Sequence, residues 1–160
     1  MSIQPGDSIP SMTLQVAGAQ ASDTANLFSG KRVVLFSVPG AFTPTCSQRH
    51  LPGYVQHHGD FTKRGIDVYC LSVNDAFVMQ AWGESQHVPD GLLMLADGNG
   101  AFTKALGLEM DASAFGMGLR GKRFALYAEN GIVRVVQVEA PGEFGVSSAE
   151  SMLQSVDALS

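Results

Sequence analysis

The stretch Arg32–Cys46, RVVLFSVPGAFTPTC, decides how this chain is read. Its first half, RVVLFSV over Arg32–Val38, is an unbroken apolar run rich in β-branched residues, the pattern of a strand buried within a sheet. The second half ends that pattern at once. Pro39-Gly40 turns the chain off the strand, and Thr43-Pro44 begins a helix with a capping threonine and a proline suited to the first helical position. With Thr43 as the N-cap, Cys46 is the third helical residue, facing unpaired N–H groups and the positive end of the helix dipole. Such a placement lowers a thiol pKa from its reference of ~8.5 and favours the thiolate, which is the nucleophile. Cysteine is among the most often buried and inert residue types. The strand–loop–helix setting points instead to a reactive one.

The flanking sequence alternates strand and helix patterns. A helix follows Cys46, interrupted by Pro52-Gly53, and reaches about Arg64 before Gly65. Ile66–Val73 reads as a second strand, and Asn74-Asp75 caps a helix to about Gln86 with Phe77, Val78, Ala81 and Trp82 on its apolar side. Leu92–Ala96 is a short strand closed by the turn Asp97-Gly98-Asn99-Gly100, before a short helix ending at Gly107. Phe124–Ala128 and Ile132–Val138 flank Glu129-Asn130-Gly131, a hairpin turn. Ser147–Glu150 matches a capping box ahead of a last helix carrying Met152, Leu153, Val156 and Leu159. The order β-α-β-α-β-α, then hairpin, then helix predicts an α/β protein: a mixed central sheet flanked by helices, a three-layer sandwich of the thioredoxin-like class. A small doubly wound sheet also fits this pattern.

Bulk composition narrows the function classes. A chain of 160 residues predicts one domain over 1–160, and 45% hydrophobic against 16% charged residues excludes general disorder. No apolar run approaches the ~20 residues of a membrane span. The N-terminal MSIQPGDSIPSMTL lacks the basic and apolar regions of a signal peptide. A net charge of −5 argues against a nucleic-acid partner. Two cysteines, Cys46 and Cys70, do not make a disulfide framework, and a reducing, cytoplasmic setting is expected.

Several thiol chemistries fail on spacing. A phosphatase loop needs an arginine six residues after the cysteine, where Pro52 stands. A C-x-x-C redox pair needs a cysteine where Arg49 stands, and a papain-like signature is missing. A single thiolate that becomes oxidised remains. Arg120, Lys122 and Arg123 are three of the ten basic residues within four positions; a solvated loop is the plain reading, but Arg123 directly precedes a strand. Gly116–Gly121, GMGLRG, matches G-x-G-x-x-G formally, yet no strand leads into it and no helix follows. His50 lies four residues past Cys46 on one helical face; a partly exposed helix histidine is its bland reading. A metal site at Cys46 and His50 lacks further spaced ligands.

Pro39, Thr43 and Cys46 spell P-x-x-x-T-x-x-C, which resembles the peroxidatic signature of the peroxiredoxins. PGAFTPTCS, HLPGY, LSVNDAFVMQAWG, the spacing of LADGNGAF, KRFALY and EAPGEFGVSSAE extend that resemblance over the whole chain, to the type II or peroxiredoxin-5-like branch. The resemblance implies a thiol-dependent peroxidase that reduces hydrogen peroxide and alkyl hydroperoxides through a sulfenic acid on Cys46, without metal or organic cofactor. It implies that Thr43 binds thiolate and peroxide, that Pro39 shields the sulfur, and that Arg123 stabilises charge, with Arg120 in reserve. It implies a homodimer, with His50, Phe42 and Phe115 as candidate pocket residues. Cys70, within a strand, reads as buried and structural, though some type II relatives carry a proposed resolving cysteine at the matching point. The GEFGVSS segment has no cysteine for the animal-type disulfide, so glutathione, glutaredoxin or thioredoxin are the expected reductants. Two alternatives stay open: a redox sensor passing Cys46 oxidation to a partner protein, and a structural domain with an inert thiol.

Overall fold

The apolar run that opens the reading is the central strand of a seven-stranded sheet. A computed structural model describes residues 2–159. In chain order, β1 (Thr13–Val16), β2 (Ser22–Asp23) and α1 (Thr24–Phe28) precede β3 (Arg32–Ser37). A π-helical turn at Cys46–His50 runs into α2 (Leu51–Lys63), followed by β4 (Ile66–Ser72), α3 (Ala76–Ser85), β5 (Leu92–Ala96) and α4 (Ala101–Leu106). A small hairpin, β6 (Glu109–Asp111) and β7 (Leu119–Gly121), leads to β8 (Phe124–Glu129), β9 (Ile132–Val138) and α5 (Ala149–Asp157).

The sheet order is β2-β1-β5-β4-β3-β8-β9. Strands β3, β4 and β5 are parallel, with Phe36 opposite Cys70 and Cys70 opposite Met94. β8 is antiparallel to β3, and β9 to β8. Because side chains alternate along a strand, β3 feeds two cores. Val34 and Phe36 pack with Tyr54 and Phe61 of α2, Trp82 of α3 and Met152 of α5. Val33 and Leu35 pack with Phe28 of α1 and Phe102 and Leu106 of α4. Helices thus cover both faces of a mixed sheet, the thioredoxin-like arrangement. The hairpin at Asn130-Gly131 has positive φ at both residues, 51° and 77°, as a two-residue turn between twisted strands requires.

Three local expectations are corrected. Pro52-Gly53 does not interrupt the helix after Cys46; the chain passes from the widened turn into α2 without a break, with Leu51 N–H bonded to Cys46 O and Pro52 next in line. The inward face of α3 is Met79, Trp82 and Gly83, while Phe77 is 84% exposed and Ala81 exposed, because packing on β5 rotates the helix away from its most apolar residues. The cap of α5 is Ser148, whose hydroxyl accepts from the N–H of Ser151, one residue later than a capping box starting at Ser147. Besides these, β1, β2, α1, β6 and β7 are too short to carry a period, so no sequence pattern marked them.

Candidate active site

The turn after β3 is tied down from the neighbouring strand. Val38 N–H donates to Leu71 O (3.0 Å), extending the parallel ladder one residue past β3. Asn74 Oδ1 accepts from Ala41 N–H (3.0 Å) and from the Ser72 hydroxyl (2.6 Å). A Cβ on Gly40 would lie 3.1 Å from Met117 Cε and 3.2 Å from Thr43 Cγ2, so glycine allows the loop to fold against itself. Phe42 takes φ 65°, an uncommon conformation for a bulky residue, and is 56% exposed.

Thr43 starts the helix with its backbone: its carbonyl accepts from Ser47 N–H at 2.9 Å. Its hydroxyl donates to Gly40 O at 2.6 Å rather than accepting from the first helical N–H groups. That removes the competition between capping and substrate binding which a side-chain cap at Thr43 would create. The helix then widens into the π turn at Cys46–His50, a feature frequent at functional sites. Trp82 Nε1 donates to Ser47 Oγ (3.0 Å) and pins this turn to α3.

Cys46 is fully buried at the end of the core. Arg123, one residue before β8, donates from Nη2 to the Cys46 sulfur (3.2 Å) and from Nη1 to His50 Nδ1 (2.8 Å). An arginine only donates, so His50 Nδ1 is the acceptor and Nε2 carries the proton. Nε2–H then donates to the carbonyl of Ser147 at 3.1 Å. Burial, and next the charge of Arg123, push the His50 pKa down to about 3, which keeps the ring neutral. His50 is therefore buried, not partly exposed, and is in direct contact with the guanidinium. The Phe144 ring packs edge-on against His50 and lies under Arg49, with 4.7 Å from the Arg49 Cζ to its centroid.

The neighbouring Arg120 serves elsewhere, while Lys122 lines the same cleft as Arg123. Arg120 donates to Met117 O (2.9 Å) and Val73 O (3.0 Å), clasping the β6–β7 hairpin to the end of β4. The GMGLRG segment makes that hairpin turn and enters β7, with positive φ at Gly116 and Gly118. Cys70 is a free, fully buried thiol in β4, in the same core cluster as Cys46, and burial followed by the proximity of Cys46 pushes its pKa well up. Beside the site lies a cleft of about 540 Å³, lined by Pro39, Thr45, Phe115, Lys122, Arg123 and Val138 among others. Pro39, Arg123 and Phe115 thus share one cleft; Phe42 does not line it. Among the described residues, no group of three or more His, Cys, Asp or Glu is placed to hold a metal, and no helix is long and apolar enough to cross a membrane.

The sequence offered no sign of several contributors. Tyr54 OH donates to Ser147 O (2.7 Å), alongside His50. Glu139 Oε2 accepts from Gly145 N–H (2.7 Å), Ser147 N–H (2.8 Å) and Ser147 Oγ–H (2.7 Å). Burial raises the pKa of Glu139, but these donors outweigh it and hold the carboxyl below its ordinary range. These groups meet across 93 to 97 residues of chain or through an irregular loop, where no periodicity exists to read.

Comparison with known proteins gives one consistent result. The family model Redoxin matches residues 4–153. The chain is 45% identical to Peroxiredoxin-2E, chloroplastic, of Arabidopsis thaliana, over 97% of this chain and 70% of that protein. It is 42% identical to Peroxiredoxin-2B of the same plant, over 96% of this chain and 98% of that one. Among solved structures it is similar to reduced Prx3 in complex with H2O2 from Vibrio vulnificus, with a TM-score of 0.90 and 51% identity, covering 96% of this chain and 99% of that one.

Proposed function

The chain belongs to the Redoxin family and is a peroxiredoxin of the type II branch, a thiol-dependent peroxidase; from that premise we propose that Cys46 is the thiolate that attacks the hydroperoxide. The observation that carries this assignment is the Arg123 guanidinium, which lines a cleft with Pro39 and Phe115 and donates to the buried Cys46 sulfur. The sulfur attacks the terminal oxygen of RO–OH, the O–O bond breaks, and the sulfur is oxidised to Cys46–SOH. The leaving RO⁻ takes a proton from water and departs as ROH. Charge passes from sulfur to the leaving oxygen during this step, and a fixed cation in a dry site stabilises it throughout.

Thr43 Oγ gives its proton to Gly40 O, which leaves its lone pairs to accept from the peroxide OH. Pro39, on the cleft wall, keeps bulk water from the sulfur. Two thiols complete the cycle: the first condenses with Cys46–SOH, releasing water and forming a mixed disulfide, and the second reduces that disulfide to Cys46–SH. We propose glutathione with glutaredoxin, or thioredoxin, as their source, in a reducing, cytoplasmic compartment. Cys70 does not resolve Cys46 in this scheme, because it is fully buried in a central strand and bound to stay a thiol. We also propose a homodimer, supported by Phe42, Phe77 and Phe115, which are 56%, 84% and 83% exposed. Sedimentation at micromolar concentration should give twice the chain mass, and a monomer would refute this.

Stopped-flow mixing with hydrogen peroxide and cumene hydroperoxide tests the assignment. Cys46→Ser should consume no peroxide, and Cys70→Ser should turn over normally with either reductant. Reactivity of Cys46 no faster than a free thiol would overturn the reading. Loss of turnover in Cys70→Ser, with sulfenate trapped on Cys46, would make Cys70 the resolving thiol.

A further inference from the structure

Glu139 is a buried carboxylate that accepts hydrogen bonds from Gly145 and Ser147 of one loop, neither of them basic. A carboxylate that collects three donors from a loop organises backbone. The loop it gathers carries two of the groups that pack on His50: the Phe144 ring and the Ser147 carbonyl. Gly145 N–H is held by Glu139, and Gly145 O in turn accepts from Ser148 N–H at 3.1 Å. That N–H shares a peptide plane with the Ser147 carbonyl and points the opposite way. Anchoring Gly145 therefore aims the Ser147 carbonyl at His50 and Tyr54. Glu139 also closes a backbone link, its own N–H donating to Arg123 O at 3.0 Å.

We infer that Glu139 is a positioning residue for peroxide reduction: it aims the Ser147 carbonyl, which holds His50 in its Nε2–H tautomer, which in turn directs Arg123 at the Cys46 sulfur. The inference rests on the peroxidase reading of Cys46. Its physical basis is that the two tautomers of a neutral imidazole have opposite meanings for arginine. With Nε2 protonated, Nδ1 accepts from Arg123; with Nδ1 protonated, two N–H groups confront each other and the guanidinium must turn away. The Ser147 carbonyl rewards the first tautomer, and an acceptor turned elsewhere would leave the buried Nε2–H unpaired.

Two measurements on Glu139→Ala and Glu139→Gln test this: the rate of peroxide reaction and the ¹⁵N shifts of the His50 ring. Glu139→Ala should slow the reaction roughly 10- to 100-fold, as misplacing a group by about 1 Å does. It should also weaken the Nε2–H signature of His50. Glu139→Gln, whose side-chain oxygen accepts in the same place, should restore most of the rate. A wild-type rate in Glu139→Ala overturns the inference, and so does a slow reaction with the His50 signature unchanged. If Glu139→Ala does not fold, Glu139→Asp, one methylene too short, replaces it under the same two criteria. Wild-type protein that consumes no peroxide sinks the peroxidase reading instead, and the His50 signature then decides the link from Glu139 on its own.

Discussion

At the scale of single residues, Arg123 shows how local context selects among equivalent side chains. Arg120 and Arg123 are alike in sequence, but one bonds two carbonyls and the other spans His50 and Cys46. The difference was partly legible: Arg123 abuts a strand that the sequence marks, whereas β7, which holds Arg120, is too short to carry a pattern. Reaching sulfur and imidazole together uses two nitrogens of a planar fork, which a lysine lacks. Arg123→Lys should therefore slow the peroxide reaction by roughly 100-fold, with circular dichroism unchanged. A rate within threefold of wild type would mean that only the charge matters. The partners of His50 were not legible, since its burial and its bond to Ser147 depend on a loop 97 residues away.

Among the elements, the π turn at Cys46–His50 is the decisive one. The sequence marks the helix start correctly at Thr43-Pro44, but no residue type announces a widened turn. In that turn both Cys46 and His50 are buried and reach Arg123. The start of α5 is a more ordinary case. Ser147 and Ser148 are both good capping residues, and only the fold decides which one caps: Ser147 is held by Glu139, so Ser148 takes the role. Ser148→Ala should lower stability by about 1 kcal/mol, read as a shifted denaturation midpoint. An unchanged midpoint would show that the cap contributes nothing there. Long strands such as β3 and β4 were readable because each carries six or seven residues of pattern, whereas β2, with two, carries none.

Over the whole molecule, burial of titratable groups sets how stability depends on pH. His50 has a folded pKa of about 3 against an ordinary 6.5. Between those values the unfolded chain binds a proton that the folded chain refuses, so stability rises with pH there. Its contribution is complete above about 6.5 and is lost towards pH 3, by at most about 5 kcal/mol. Burial raises Cys70 and Tyr54 above their ordinary 9.0 and 10.0, so the unfolded chain deprotonates first and stability falls above about pH 9. Urea titrations from pH 3.5 to 10.5 should trace this dome, with a shallower acid limb in His50→Gln. An acid limb identical in that variant would remove His50 as its cause. By itself the sequence determined the strand–helix order, the placement of a cysteine in the first turn of a helix, and the family, because these follow from short-range pattern and residue types along the chain. Only the tertiary structure decided that Arg123 bridges Cys46 and His50, how His50 is protonated and what Glu139 does, because those contacts join distant segments whose donors and acceptors acquire partners only when the core has formed.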